Sequence, residues 1–344
     1  MPARPFAVRY LSAGALVDFC AAHGPSILGV IGYAAMRPAC LPAATPFAKA
    51  PLATVAGDAV FEVWTAQNPV APCQVGVIAG SVADGVAFGL VALEEKPGIS
   101  LESLIEQAYR GIFDFLDGLP CPKPIRFWNY LPSINGDADG LERYRRFNIG
   151  RHDAFSDRLT LPIPPVASAL GSQDGTPVIY FLSAIEPAQT IENPRQVPAY
   201  DYPPVYGPRS PRFSRAAVHD SGGVRSLLIS GTASIIGHAS VHPGDLVAQL
   251  GETLENLRLV TGEAERRGFT PSPAGWALKV YLRHAEDLET VRPIVEARFG
   301  VGATYLYLVA DICRPDLLIE IEALNFPGAV DVGRQSVTGI RAIR

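Results

Sequence analysis

The chain has 344 residues, of which 48% are hydrophobic and 18% charged, and this globular composition excludes a disordered or fibrous protein. The formal net charge is −5 without any basic run, which argues against a nucleic-acid-binding protein. No segment has the roughly 20 apolar residues of a membrane span. The five cysteines are scattered, as is typical of a reducing compartment. We therefore expect a cytoplasmic protein of two domains, with no nucleic-acid or membrane partner.

The first half of the chain alternates strand and helix patterns. Residues 85–93 predict a strand, and Ser100 is a candidate N-cap for a helix with apolar residues at 101, 104, 105, 108 and 112. The patterns that follow predict a strand at 125–130, a helix at 141–149 and a strand at 178–182.

The second half repeats this order. Residues 225–234 predict a strand, and Asp245 is a plausible N-cap for a helix whose leucines at 246, 250, 254 and 257 form one apolar stripe. A strand at 276–282, a helix at 286–299 and strands at 304–310 and 317–324 are then predicted. The shared order predicts an α+β protein of two similar domains, each a β-sheet with helices packed on one face. We place them at residues 1–190 and 216–344, joined by a proline-rich linker at 191–215.

The last predicted strand carries two unusual carboxyl groups. Strand alternation puts Glu320 and Glu322 on one face and Ile319 and Ile321 on the other. Carboxylates are depleted in strands. A partly desolvated glutamate has a raised pKa and can hold a proton near neutral pH, as a general acid must. The alternative is that both glutamates lie on a hydrated sheet face.

Four segments together resemble the chorismatase family: RFWNYLPSIN at 126–135, LERYRRFNIGRHDAF at 141–155, YGPRSPRFSRA at 206–216 and CRPDLLIEIEAL at 313–324. LLISGTAS at 227–234 and the run at 244–256 also resemble the smaller YjgF/RidA-like deaminases. The resemblance implies two YjgF/RidA-like domains and cleavage of chorismate to pyruvate and a ring acid. We expect no cofactor and no metal, because acid-catalysed cleavage of an enol ether requires neither. A monomer or a homo-oligomer, such as the trimer of the smaller proteins, is expected.

The resemblance also implies site residues. It places the general acid at Glu320 and favours Tyr144, Arg151, Tyr206 and Arg215 for substrate binding. An arginine grips a carboxylate with paired hydrogen bonds, and chorismate has two carboxylates. Further candidate cations are Arg145, Arg146, Arg209 and Arg212. Without the resemblance, each of these arginines could equally lie on a solvated face.

The resemblance indicates the ring product less clearly than it indicates the cleavage of chorismate. Cys313, which we include with Glu320 as catalytic, resembles the branch of the family that forms 3-hydroxybenzoate. Ala233 resembles the branch that hydrolyses chorismate to a dihydroxycyclohexadienoate. We expect 3-hydroxybenzoate, alone or mixed with 4-hydroxybenzoate, and keep hydrolysis as the alternative.

Two other functions remain open from the sequence. An enamine/imine deaminase is disfavoured because Tyr305 stands where the resemblance implies a substrate-binding arginine in the deaminases. A ligand-binding protein without catalysis would keep the fold but have no turnover to lose when Glu320 is replaced.

Overall fold

The computed structural model describes residues 6–138, 140–158 and 163–327. The first part of the chain forms β1 (Ala7–Leu11), α1 (Ala13–His23), β2 (Ile27–Tyr33), β3 (Phe47–Ala50), β4 (Ala53–Thr54), β5 (Phe61–Thr65), β6 (Ala71–Val75), β7 (Ile78–Ala83), β8 (Val86–Ala92), α2 (Leu101–Asp117), β9 (Lys123–Pro132), β10 (Asp137–Ala138), β11 (Leu141–Glu142), α3 (Arg143–Arg158), β12 (Val166–Ser172) and β13 (Val178–Ala184). The rest forms β14 (Gln189–Ile191), β15 (Ala216–Ser221), β16 (Val224–Thr232), β17 (Ile235–Ile236), β18 (Ala239–Ser240), α4 (Leu246–Arg266), β19 (Trp276–Leu282), α5 (Leu288–Phe299), β20 (Thr304–Val309), β21 (Asp311–Ile312) and β22 (Ile319–Asn325).

Helix caps occur where the sequence indicates them. The Ser100 hydroxyl accepts a hydrogen bond from the Ser103 amide, and the Asp245 carboxylate accepts one from the Ala248 amide. Helix α3 begins two residues later than predicted and continues to Arg158. Helix α5 also begins later, because a single 3₁₀ turn, Ala285–Asp287, precedes it.

Two seven-stranded sheets have the same strand order. The first runs β6-β7-β8-β13-β9-β12-β21, and the second runs β14-β15-β16-β22-β19-β20-β4. In each sheet the fifth strand pairs in parallel with the sixth, β9 with β12 and β19 with β20. The edge strand β4 precedes the first sheet in the chain but completes the second, while β21 comes from the C-terminal part and completes the first.

Helices cover one face of each large sheet. Helices α2 and α3 pack on the first sheet, and α4 and α5 pack on the second. The opposite, inner faces share one core with part of the first 66 residues. The predicted α+β class, with two similar sheets and helices on one face of each, is confirmed. The boundaries at residues 190 and 215 stay a prediction, and β14, which begins at Gln189, already belongs to the second sheet.

The N-terminal region holds a sheet that the sequence did not indicate. Its strand order is β1-β5-β2-β3, and α1 packs on it through Leu16 and Cys20. From its other side, Leu28, Ile31 and Trp64 reach the core between the two large sheets. Within the described ranges, no helix is long and apolar enough to cross a membrane.

Candidate active site

A cavity of about 460 Å³ opens between the end of the linker, the start of α3 and the segment that joins β21 to β22. Five of the six predicted site residues line it: Tyr144, Tyr206, Arg215, Cys313 and Glu320. The sixth, Arg151, lines an adjoining pocket of about 30 Å³, which has room for a water molecule. Both spaces share Glu320 and Cys313 in their walls. The structure therefore brings all six residues together.

Glu320 is a buried carboxyl group that faces the cavity. Its neighbours Ile319 and Ile321 pack beneath the helices, as alternation predicts, so Glu320 points to the inner face. The side chain is 4% exposed, and no hydrogen bond from the described residues reaches its carboxyl oxygens. The carboxyl group is thus available to a bound molecule.

A β-bulge makes room for this carboxyl group. The register of β16 against β22 shifts between Ile229 and Thr232, and Gly231 lies within the bulge. A Cβ atom on Gly231 would lie 1.8 Å from Glu320 Oε1. Glycine is therefore required here because the backbone passes directly beside the acid.

The surroundings of Glu320 favour its protonated form. Burial raises its pKa, and the nearby Glu322 carboxylate raises it further, while the charges of Arg126 and Arg215 lower it. The result is a pKa of about 8. Glu320 therefore carries a proton at neutral pH, which is the state of a general acid.

Glu322 has the opposite environment although it is only two residues away. Its carboxylate accepts hydrogen bonds from Arg126 Nη2 at 2.8 Å, Trp128 Nε1 at 2.7 Å and Ser168 Oγ at 2.6 Å. Lys279 Nζ lies 2.6 Å from it. Burial alone would raise the pKa of Glu322, but the charges of Lys279 and Arg126 outweigh burial and lower it. The two glutamates are therefore not equivalent: one is protonated and the other ionised.

Arginines line the same cavity as Glu320. Arg215 is 5% exposed, and its Nη2 donates to the Tyr202 hydroxyl at 2.7 Å while its buried Nε has no partner. Arg314 was not predicted, although it follows Cys313 in one of the family segments. Its guanidinium lies 4.1 Å from the centre of the Tyr206 ring. Such groups suit an anionic ligand.

Arg151 is buried beneath the small pocket. Its guanidinium lies 4.6 Å from the ring centre of Phe155 and 5.2 Å from that of Tyr109. The Nε and Nη2 atoms are buried without a partner. An unpartnered buried guanidinium is costly unless a ligand completes its hydrogen bonds.

Two uncharged donors lie close to Glu320. Burial raises the pKa of the Tyr144 hydroxyl well above its usual value, and the Cys313 and Glu320 charges raise it further. Burial, followed by the Glu320 charge, raises the pKa of the Cys313 thiol to about 12. Cys313 is therefore a thiol and not a thiolate at neutral pH. Tyr206 lies at the other side of the cavity, where its hydroxyl is 3.1 Å from His238 Nδ1.

The remaining candidate cations divide. Arg145 lines the cavity and pairs with Glu142 at 3.2 Å. Among the residues that the structure describes, Arg146, Arg209 and Arg212 do not line it. Arg146 contacts Glu102 of α2, and Arg209 lies 3.9 Å from Asp153.

Tyr305, which stands where the resemblance implies a substrate-binding arginine in the deaminases, lies outside this site. The Tyr305 hydroxyl donates to the Gly300 carbonyl at 2.8 Å, and its ring packs on the helix-covered side of the second sheet. Within the described ranges, no group of three His, Cys, Asp or Glu side chains is placed to hold a metal ion.

The repeated α+β fold, with a buried carboxyl group and several arginines lining one cavity, defines an enzyme. A family model described as "Chorismatase FkbO/Hyg5-like, N-terminal" matches residues 62–183. A protein of Streptomyces rapamycinicus named chorismatase is 38% identical over 78% of this chain and 82% of its own length. A Streptomyces hygroscopicus protein named 3-hydroxybenzoate synthase is 42% identical over 63% of this chain and 67% of its own length.

A solved structure extends the match to nearly the whole chain. It is a crystal structure of a chorismatase, 33% identical, with a TM-score of 0.83 over 94% of this chain and 99% of the other. The chain therefore belongs to the chorismatase family.

Proposed function

We propose that this enzyme cleaves chorismate to pyruvate and a hydroxybenzoate, with 3-hydroxybenzoate as the main ring product. The names of the relatives support the reaction. The observation that carries the proposal is the buried Glu320 carboxyl group, which has no hydrogen-bond partner among the described residues, faces the cavity and has a pKa of about 8. A carboxyl group in this state can deliver a proton at neutral pH.

Glu320 transfers its proton to the methylene carbon of the enolpyruvyl ether. A new C–H bond forms, and the ether becomes an oxocarbenium ion. A ring hydroxyl or a water molecule then attacks this ion, and the Glu320 carboxylate accepts the proton that the attacking oxygen releases. When water attacks, the resulting hemiketal breaks the bond between its pyruvyl carbon and the ether oxygen, so pyruvate leaves and the ring keeps both oxygens. When the ring hydroxyl attacks, a cyclic ketal forms; the ring then breaks its bond to the attacking oxygen and loses the proton from the carbon that carries the ether oxygen, which makes it aromatic. The hemiketal left on the ether oxygen breaks at the pyruvyl carbon and releases pyruvate and 3-hydroxybenzoate. The same side chain thus serves as acid and then as base, so no cofactor is needed.

The cations hold the two carboxylates of the substrate. Arg215 and Tyr206 line the larger cavity, Arg151 lines the small adjoining pocket, and Tyr144 lines both. The Nε–H groups of Arg215 and Arg151 have no partner and are suited to donate hydrogen bonds to a substrate carboxylate. We propose these four residues as the substrate-binding set.

The ring product depends on which oxygen attacks. Cys313 and Ala233 both line the cavity. Cys313 is a neutral thiol, a small and weakly polar group that leaves the attack to the ring hydroxyl in our proposal. In the alternative, water attacks and a dihydroxycyclohexadienoate is released with pyruvate.

Incubation with chorismate tests the proposal directly. Pyruvate is measured by a coupled lactate dehydrogenase assay, and the ring acid is identified by chromatography against 3-hydroxybenzoate, 4-hydroxybenzoate and the dihydroxycyclohexadienoate. We expect equal amounts of pyruvate and ring acid. Hydrolysis of 2-aminoacrylate with chorismate left intact would instead show a deaminase.

We further propose a cytoplasmic enzyme that acts as a monomer or a homo-oligomer, without a nucleic-acid or membrane partner. The free thiol state of all five cysteines suits a reducing compartment. The negative formal charge suits a protein that does not bind nucleic acid. Light scattering of the purified protein distinguishes a monomer from a homo-oligomer such as a trimer.

A further inference from the structure

Four charged side chains lie between the three sheets, behind the wall of the cavity. Glu62, Arg126, Lys279 and Glu322 come from strands distant in sequence, and each is at most 4% exposed. We call them the central cluster. Lys279 Nζ lies 2.9 Å from Glu62 and 2.6 Å from Glu322, and Arg126 Nη2 lies 2.8 Å from Glu322. Two anions and two cations balance one another, so no positive charge is left over.

Polar side chains hold this cluster in a fixed arrangement. Trp64 Nε1 donates to Glu62 at 2.7 Å, and Lys279 Nζ donates to the Tyr180 hydroxyl at 2.6 Å. The Tyr130 hydroxyl lies 3.1 Å from that of Tyr33 and 3.1 Å from that of Tyr281. A buried network whose charged members are this closely paired resists rearrangement, because breaking any pair leaves a buried charge unpartnered.

The cluster touches the cavity wall through Glu322. Glu320 and Glu322 are alternate residues on the same face of β22, so their Cα atoms are about 7 Å apart. Ser168 Oγ donates to Glu322 at 2.6 Å and accepts from the Gly231 amide at 3.1 Å, beside the bulge that receives Glu320. Arg126 and Lys279 of the central cluster both contact Glu322. Among the described residues, no hydrogen-bond donor reaches Glu320.

The other charged and titratable groups around Glu320 come from several elements. They are Arg126 of β9, Tyr144, Arg145 and Arg151 of α3, Glu142 of β11, Tyr202, Tyr206 and Arg215 of the linker, Tyr281 of β19, and Cys313, Arg314 and Asp316 between β21 and β22. Arg126 is paired with Glu322, and Arg145 is paired with Glu142. Arg215 donates to Tyr202. Arg126 and Arg145 are therefore already paired with carboxylates, whereas Arg151 and Arg215 each keep a buried Nε without a partner.

We propose, on the basis of the function proposed above, that Glu322 is a positioning residue for Glu320. Lys279 and Arg126 hold Glu322 as a fixed anion, and its charge keeps the neighbouring Glu320 in the acid form that protonates the substrate. Two carboxyl groups this close in a buried site do not readily ionise together. The one that is paired with cations, here Glu322, keeps the negative charge.

The pH dependence of the Glu322→Gln variant tests this role. We expect the alkaline midpoint of kcat/KM, which reports the free enzyme, to fall by about one to two pH units because Glu320 loses its proton more easily. Glu62→Gln is the matched control, since it removes one negative charge from the same lysine but farther from Glu320. Its midpoint shift should be less than half as large. Glu322→Asp keeps the charge and should restore the wild-type midpoint.

A spectroscopic titration separates this inference from the proposed function. Infrared spectroscopy detects the C=O stretch of a protonated carboxyl group without any turnover, and the band lost in Glu320→Gln belongs to Glu320. We expect that band at neutral pH in the wild type and its loss at lower pH in Glu322→Gln. A protein that shows this band but does not cleave chorismate would refute the function while leaving the carboxyl pair intact.

Three results would overturn the inference. The first is an unchanged midpoint in Glu322→Gln, and the second is an equal shift in Glu62→Gln. The third is a wild-type Glu320 band that titrates near the ordinary glutamate value of about 4.3. If Glu322→Gln does not fold, the wild-type titration decides: a Glu320 band that titrates above neutral pH, with no second buried carboxyl band titrating beside it, supports a fixed Glu322 anion, and two carboxyl bands that titrate together refute it.

Discussion

The two large sheets have the same architecture but different inner faces. β13 and β22 are each the fourth strand of their seven-stranded sheet. β13 lies between β8 and β9, and β22 lies between β16 and β19. On its inner face, β13 carries Tyr180 and Leu182, whereas β22 carries Glu320 and Glu322. The duplicated fold thus provides two equivalent strands, and only one of them carries an acid.

The strands that pair with β13 and β22 differ too. β8 pairs with β13 in an unbroken register, but β16 shifts register against β22 at the bulge that contains Gly231. A regular strand would place a side chain or backbone against Glu320. The comparison teaches that an active site needs both the acid and the local irregularity that gives the acid space.

The largest effect should come from replacing Glu320, the acid that β22 carries and β13 lacks. Glu320→Gln keeps the shape but cannot donate a proton to carbon, so we expect kcat to fall by about 10²- to 10⁴-fold. Stopped assays of pyruvate release measure it. Glu142→Gln, a second carboxyl change in the same cavity, should lower kcat less than tenfold. Similar losses in both variants would contradict a special role for Glu320.

Filling the space beside Gly231 should have the next largest effect. In Gly231→Ala the new methyl group displaces the Glu320 carboxyl group, and a misplacement of this size costs about 10²-fold in kcat/KM. Gly251→Ala on α4 is the matched control, because a Cβ there meets nothing within 4 Å. Steady-state kinetics and thermal unfolding are measured for both. Full activity in Gly231→Ala would show that Glu320 does not need this space.

Substrate binding should be affected more moderately. Arg215→Ala removes charge-assisted hydrogen bonds worth about 1.5–3 kcal/mol, so KM for chorismate should rise by about 10- to 100-fold. Arg209→Ala removes an exposed arginine that lies 3.9 Å from Asp153 and does not line the cavity. It should leave KM within twofold, and an equal rise in the two variants would argue against a specific contact.

The smallest effect is the pH dependence of the wild type. Glu320 acts in its protonated form, and its pKa is about 8, above the ordinary glutamate value. Activity should therefore be present below this pH, be halved near it, and fall about tenfold for each further pH unit. The kcat/KM profile from pH 6 to 10 (roughly the range needed to bracket this pKa) measures it. A decline that begins in the range of ordinary carboxylates would place the essential acid elsewhere.

Much of the two large sheets and their helices could be predicted from the sequence. The caps at Ser100 and Asp245 and the alternation in β22 are local patterns, and local patterns are what a single sequence shows most clearly. The position of Glu320 on the inner face follows from alternation alone. That it faces a cavity and not water depended on the resemblance, because the sequence does not show what covers a strand.

The central cluster could not be assembled in the same way. Glu62, Arg126 and Lys279 come from three different sheets, and their contacts in the cluster depend on how these sheets pack. A weak signal was present, because each is a charge between apolar neighbours in a strand: FEVW, PIRFW and WALKVYL. Such a charge needs a buried partner. The N-terminal four-stranded sheet was missed because β1, β3 and β5 are short, and because β2 is a continuous apolar run, which does not distinguish a strand from a buried helix.

The exchange of edge strands between the two large sheets has a consequence for taking the molecule apart. Because β4 precedes the first sheet yet completes the second, and β21 makes the reverse connection, no single cut in the chain separates two intact halves. Either fragment would expose an unpaired sheet edge and a broad apolar surface, both of which promote aggregation. The two large sheets are therefore interdependent, so engineering can exchange the catalytic half only together with the edge strand that the other half supplies.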